Sequence, residues 1–471
     1  MLSLHPRTSS RIWSRAATLA RPLRIRELRT LWLAQLASEL GDWASRIALA
    51  VLVFDRTHSA LATGLVTTAS LLPYALVGPL TAAIADRQPR RRVMVAADLM
   101  RGGIFLTLAI PGVPTPVLLM GALAAGLATP PFEAARSAMR SELVVDDAAY
   151  GSYNALSVMT GQVAVALGYL FGGGLILVLG TQGTLGLNGA SFLISALLVS
   201  RLEGSAPPVG LKVGLGRQLS DGARALFGER SLRRCVVLGV TASVAGTVPE
   251  ALGAVFEPSS PTRAALLLAA APVALILVSA LIPVTGDDRR LLRVASVVLV
   301  GGGAVAIGAF LLASSFGFAL LAWASSGTTF AVIVAAGPVV RRRLPAQGRA
   351  VAFGILQAAT LAGCCLGGLA GGALADVVGV RYACIGGCAL AVATGLGLLL
   401  ALAAWSRAGA GAGTGFLPAG GAGVGVAGVG GAGVGGAGVG GAGVGGAGVG
   451  VGLAPSPVPT AAAATAVAGP L

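Results

Sequence analysis

Charge is scarce in this chain. Only 11% of its 471 residues are Asp, Glu, Lys or Arg, where a soluble domain carries about 25%, so a water-facing surface around an ordinary core is excluded. Histidine is scarcer still. The two present, His5 and His58, lie outside the apolar runs, which leaves a metalloprotease or a histidine-based catalytic pair without material. The five cysteines, Cys235, Cys364, Cys365, Cys384 and Cys388, fall in or beside apolar runs. Their spacing matches no zinc or disulfide framework, and a thiol in such a place behaves as a small hydrophobe. The chain is therefore expected to hold no metal and no cofactor, and not to be an enzyme.

What is abundant is apolar sequence, 55% of all residues, with a mean hydropathy of +0.85. The 71 glycines inflate that impression near the C-terminus, so the argument rests on discrete runs of about 20 apolar residues, the length that crosses a bilayer as a helix. Twelve such runs are found. The first six cover 31–54, 60–85, 92–111, 115–137, 152–179 and 183–201; the second six cover 233–256, 263–284, 291–313, 316–340, 349–376 and 380–404. This predicts an all-α integral membrane protein of twelve transmembrane helices in two pseudo-symmetric six-helix halves, residues 31–201 and 233–404.

A formal net charge of +15 would suggest nucleic acid in a soluble protein, but here the arginines fall in alternate loops. Clusters at Arg21–Arg29, Arg87–Arg92, Arg136–Arg140, Arg201–Arg234, Arg289–Arg293 and Arg341–Arg349 alternate with connections holding little more than Arg56, Arg263 and Arg381. Because cytoplasmic loops carry the excess of Lys and Arg, the pattern predicts a multi-pass cell-membrane protein with both termini cytoplasmic. Residues 1–30 then form a basic tail and the polar stretch 202–232 a central linker, its later part an amphipathic helix. From about 405 the sequence turns to Gly, Ala and Val, with GAGVG recurring between Gly421 and Gly450; glycine's backbone entropy argues for a disordered tail there.

The two halves repeat one another. A shift of 199 residues places Gly168, Gly172, Gly173 and Gly180 on Gly367, Gly371, Gly372 and Gly379. Glycines at such spacing let helix backbones approach closely in lipid, and similarity between halves is what transporters built from repeats show, with the substrate site between them. Static packing is an equally weighted reading of these positions.

Ionisable side chains within the spans are the candidate site, since each costs at least ~2.5 kcal/mol at the bilayer centre. Glu39, Asp42 and Arg46 share one face of the first helix, with Gln35 beside them; one carboxylate is expected to pair with Arg46 and the other to bind a proton or substrate. Asp98 and Arg101 form a second pair in the third helix, read chiefly as structural. Glu250 stands alone in the seventh helix as a second proton-site candidate.

The loop Ala82-Ala83-Ile84-Ala85-Asp86-Arg87-Gln88-Pro89-Arg90-Arg91-Arg92 resembles the signature of the major facilitator superfamily: Gly, three residues, Asp-Arg, one residue, Gly, then basic residues. The wider pattern, with Leu31-Trp32-Leu33-Ala34-Gln35, Gly41-Asp42 and Ala97-Asp98-Leu99-Met100-Arg101, resembles its enterobactin-exporter and macrolide-efflux branch. The resemblance spans about 25–405. It implies the major facilitator fold, alternating access, and a cytoplasmic gate at Ala82, Asp86, Arg87, Arg90 and Arg91. It also implies proton-coupled efflux of a hydrophobic or amphiphilic small molecule by a monomer, with no nucleic-acid partner. Ala82 and Pro89 replace the signature's glycines, the fourth helix lacks an arginine that drug/proton antiporters carry, and Tyr169 stands where their fifth helix has proline. Uptake, lysolipid transport and a non-transporting scaffold or receptor remain open alternatives.

Overall fold

The computed structural model describes residues 21–85, 88–143, 147–202, 215–282, 287–312, 315–344 and 349–411. Asp86, Arg87, the glycine-rich segment from 412 and most of the tail before α1 lie outside them. Among the described residues, secondary structure is helical throughout. The first half comprises α1 (Arg26–Thr57), α2 (Ala60–Ala85), α3 (Arg90–Leu108) and α4 (Thr115–Leu143), followed by one continuous run, Asp147–Ser200. That run breaks at Gly180, whose φ of 72° and ψ of 176° end one helix and start another; the two parts are α5 (147–179) and α6 (181–200). Gly180 is needed there because a side chain is strained at positive φ.

An amphipathic helix, α7 (Leu215–Gly228), precedes the second half. There follow α8 (Arg230–Phe256), α9 (Pro261–Leu281), α10 (Asp288–Leu311), α11 (Phe316–Gly327), α12 (Ala331–Arg343), α13 (Arg349–Val378) and α14 (Val380–Gly411). A 3-10 turn, Thr328–Phe330, joins α11 and α12 into one span. Twelve spans result. Eight helical runs among the described residues are long and apolar enough to cross a membrane, one of them being the double span Met159–Ser200. Of the other three spans, α1 and α3 carry several ionisable residues, the candidates Glu39, Asp42, Arg46, Asp98 and Arg101 among them, and α2 counts as a shorter apolar helix over Ala60–Leu76. Several ends differ from expectation: α1 starts at Arg26 rather than 31, α4 runs to Leu143 rather than 137, and α14 continues to Gly411.

The two halves meet along α2–α13 and α5–α9, and glycine makes both contacts possible. A Cβ on Gly173 of α5 would lie 3.0 Å from the Pro261 carbonyl of α9; one on Gly372 of α13 would lie 2.7 Å from the Ala60 carbonyl of α2. Their neighbours face inward to their own halves. A Cβ on Gly172 would meet Ala44 of α1 at 2.8 Å, and one on Gly371 would meet Val248 of α8 at 2.9 Å. Gly168 packs on Trp43 of α1, and Gly367 packs on Val244 of α8. The repeated glycines therefore occupy corresponding places: one of each pair lets the first helix of its own half approach, the other lets the opposite half approach. Gly180 and Gly379 close the correspondence, both at positive φ, 72° and 90°.

Candidate functional site

A cavity of about 250 Å³ lies between the halves, lined from the first half by α1, α2, α3, α4 and α5 and from the second by α8, α9, the α11–α12 span and α13. Its wall carries acidic and basic side chains in equal number: Glu39, Asp42, Glu133 and Glu250 against Arg46, Arg101, Arg136 and Arg140. Aromatic rings from Trp43, Tyr74, Phe105, Tyr169 and Phe330 also line it. The structure thus brings Glu39, Asp42, Arg46, Arg101 and Glu250 to one space, although they come from three helices.

The partners differ from those expected. Arg46 makes no ion pair within 4.0 Å among the described residues; its guanidinium lies over the Trp43 ring, 4.3 Å from the centroid. A helix face brings charges near one another without fixing rotamers, and the indole offers the guanidinium an electrostatic partner three residues away. Glu39 pairs instead with Arg136 of α4, at 3.8 Å, and accepts a hydrogen bond from Gln35 Nε2 at 2.9 Å. Gln35 is in turn fixed by Ser157 of α5, whose hydroxyl donates to Gln35 Oε1 at 2.6 Å. The second oxygen of Glu39 is buried without a hydrogen-bond partner. Asp42 accepts a long hydrogen bond, 3.4 Å, from Asn188 of α6, which also donates to Ser45 at 2.8 Å.

Glu250 is not alone. Tyr169 of α5 donates its phenolic proton to Glu250 Oε1 at 2.9 Å, a bond between the two halves. Trp43 packs edge-on against Tyr169 at 5.3 Å, so one chain of contacts runs from Arg46 through Trp43 and Tyr169 to Glu250. The tyrosine that departs from the antiporter signature is thus the residue that reaches across.

Asp98 and Arg101 are 0% and 3% exposed and hydrogen-bonded to one another. The Arg101 guanidinium stacks between Phe132 and Phe192, 4.6 and 4.3 Å from their centroids. Such a cation is held by its carboxylate and two ring faces, with one edge on the cavity wall.

Three further residues join the site that the sequence reading does not single out. Glu133, Arg136 and Arg140 repeat on α4 the i, i+3, i+7 spacing of Glu39, Asp42 and Arg46 on α1. Arg136 Nη2 donates to Glu133 Oε2 at 2.6 Å, and Arg136 and Arg140 are 4% and 5% exposed. The alternation of arginines places both in a cytoplasmic segment; α4 instead continues past them to Leu143, and both are buried there. The repeated spacing is the available signal.

Of the gate residues, Ala82 lies in α2, and Asp86 and Arg87 lie outside the described residues. Arg90 is buried and donates to the Ala138 carbonyl of α4 at 2.9 Å; Arg91 donates to the Leu202 carbonyl, just past α6, at 2.8 Å. These two bonds lie within the first half.

The family model for the Major Facilitator Superfamily matches residues 31–291, more than half of the chain. The chain belongs to the Major Facilitator Superfamily. This facilitator is 28% identical over 229 residues to multidrug efflux pump Tap of Mycobacterium tuberculosis, covering 44% of this chain and 52% of Tap. It is 30% identical over 71 residues to macrolide efflux protein A of Streptococcus pyogenes, 15% of this chain and 18% of that protein. The chain thus spans about half or less of the curated relatives it matches. Among solved structures, nucleoside transporter NupG superposes with a TM-score of 0.64 at 14% identity, over 80% of this chain and 99% of that one. A bacterial homologue of the human lysosomal transporter Spinster gives 0.57 at 17% identity, over 81% and 96%. At these identities the likeness is one of fold: a helical bundle in two halves with a cavity between them.

Proposed function

We propose that this facilitator is a monomeric, proton-coupled exporter of a hydrophobic or amphiphilic small molecule, acting by alternating access in the cell membrane with both termini cytoplasmic. One observation carries the reading. Asp42 and Glu250 line the cavity, one from each half, and neither has a cation within 4.0 Å among the described residues. A carboxylate held in a membrane protein without a cation must find a proton, a substrate or water. Two of them facing the same cavity from opposite halves give the carrier a means of exchanging protons for substrate. Arg46, resting on Trp43, lines the same cavity.

In this account Asp42 and Glu250 carry the protons, and Glu39 with its unpartnered oxygen takes a polar group of the substrate. Trp43, Tyr169 and Phe330 supply the faces for its apolar part. The cavity volume of about 250 Å³ falls just below the roughly 300–1,000 Å³ of drug-sized sites, so entry of a larger molecule requires the halves to part. Asp86, Arg87 and Arg90 close the cytoplasmic end when the cavity faces outward. Likeness to multidrug efflux pump Tap and macrolide efflux protein A favours export over uptake.

The test is a substrate panel in inverted vesicles with and without an imposed pH gradient. Gradient-driven accumulation of a lipophilic probe such as ethidium, abolished by Asp42→Asn while insertion is intact, supports the reading. Accumulation unchanged in Asp42→Asn removes that carboxylate from the mechanism; accumulation in the opposite direction supports uptake, and binding without translocation supports a scaffold or receptor.

A further inference from the structure

At the arginine-poor end of the bundle, Asp376 of α13 reaches across to the start of α2. Its Oδ1 accepts from the Ala60 backbone N–H at 2.7 Å, and its Oδ2 accepts from Leu61 N–H at 3.1 Å and from the Ser59 hydroxyl at 2.8 Å. The Ser59 hydroxyl oxygen in turn accepts from Ala62 N–H at 3.2 Å. The first three N–H groups of α2, which no helix can satisfy internally, are therefore all satisfied, two of them by a carboxylate from the other half.

The placement makes no sense for α13 taken by itself. Asp376 stands in the last turn of its own helix, two residues before Val378, where the negative end of the helix dipole disfavours an anion. The positive N-terminus of α2 is where an anion is favoured. Around it the halves touch through backbone, with Gly372 against Ala60 and Leu61 and Gly64 against Gly368. Thr68 also donates to the Cys365 carbonyl at 3.2 Å.

The sequence around Asp376 repeats a spacing met elsewhere in the chain. Gly372, Asp376, Gly379 and Arg381 stand at the intervals of Ala82, Asp86, Pro89 and Arg91, and they supply both glycines that the α2–α3 loop lacks. In a fold of inverted repeats, a loop after α2 at one membrane face corresponds to a loop after α13 at the other. Arg381 completes the device from the opposite side: it donates to the Phe310 and Leu311 carbonyls at the end of α10, anchoring the turn in its own half.

We propose that Asp376 is a positioning residue that clasps the two halves at the outer face, by capping α2, and that the clasp must open whenever the cavity turns outward. The inference rests on the alternating-access reading of the preceding section, and it concerns the balance of conformations rather than the substrate. The Asp376 side chain is solvent-exposed and has no cation partner among the described residues, so its contribution is that of a helix cap rather than of a buried ion pair.

The test places nitroxide labels at Ile110→Cys and Ser259→Cys, at the outer ends of the first and second halves. The five native cysteines are buried, and a sample without introduced cysteines gives the labelling background. Distances are measured by pulsed electron resonance in lipid nanodiscs. The wild type is expected to show a dominant short distance and a minor long one. Asp376→Ala is expected to raise the long-to-short ratio about fivefold, the size of one lost helix cap, and Asp376→Asn less. Ala60→Pro provides a variant independent of any folding defect at Asp376, because proline is accepted at the first helical position while removing the N–H that Asp376 Oδ1 accepts; it should shift the ratio in the same direction. Two distances whose ratio none of these variants moves would overturn the clasp and leave alternating access standing. A single distance in every sample, with and without ethidium, would overturn both.

Discussion

Removing Arg136 is the sharpest stability test of the buried network, because this guanidinium holds two carboxylates at once. It sits 2.6 Å from Glu133 and 3.8 Å from Glu39. At an effective dielectric of about 20 the two attractions amount to about 6 and 4 kcal/mol, most of it offset by desolvation of the three charges. What the substitution exposes is the remainder: Arg136→Met leaves Glu133 and Glu39 in the bundle without a cation, a loss of about 3–5 kcal/mol. At about 2 °C per kcal/mol for a large chain, the midpoint of thermal unfolding in detergent should fall by about 6–10 °C. The triple variant Glu39→Gln, Glu133→Gln and Arg136→Met removes both stranded charges and should recover most of that fall, since neutral replacement of a buried ion network is often harmless. An Arg136→Met midpoint within about 1–2 °C of wild type, equivalent to about 1 kcal/mol or less, would refute the argument that this cation holds α1 and α4 together.

Other outcomes follow from the same contacts. Tyr169→Phe deletes the hydrogen bond between the halves to Glu250; a bond to a charged group contributes about 1.5–3 kcal/mol, so the thermal midpoint should fall by about 3–6 °C at about 2 °C per kcal/mol, and an unchanged midpoint would show that the bond does not hold the halves. Gly372→Leu inserts a side chain where a Cβ already meets Ala60 and Leu61; crosslinking between α2 and α13 should be lost, and retained crosslinking would show that the seam can yield. Asp98→Asn uncouples a buried pair stacked on Phe132 and Phe192 and should lower stability by about 3–5 kcal/mol, read as loss of folded protein on size-exclusion chromatography.

The twelve spans were legible because lipid admits few alternatives to apolar helices, and the charged face of α1 was legible because ionisable residues are conspicuous there. The duplication was legible in the glycines, whose spacing is a backbone property. Partners within one helix were legible for Asp98 and Arg101; partners on other helices were not. Glu250 finds Tyr169 and Glu39 finds Arg136 only after distant helices pack, and no spacing along one helix reveals that. Arg136 and Arg140 are hidden for a specific reason: an arginine in a charged stretch near a span's end reads as a loop residue under the positive-inside rule, whereas burial depends on where α4 ends. Asp376 is hidden similarly, because an acid at the last turn of an apolar span resembles an ordinary interface residue until the facing N-terminus is seen.

The measurement closest to the central claim is proton release on ligand binding, followed in weakly buffered detergent solution as ethidium is titrated onto purified protein. Exchange of protons for substrate at Asp42 and Glu250 predicts release from the wild type that Asp42→Asn diminishes and Asp42→Asn with Glu250→Gln eliminates, with binding still detectable by fluorescence. Equal release from the wild type and the double variant would contradict the account.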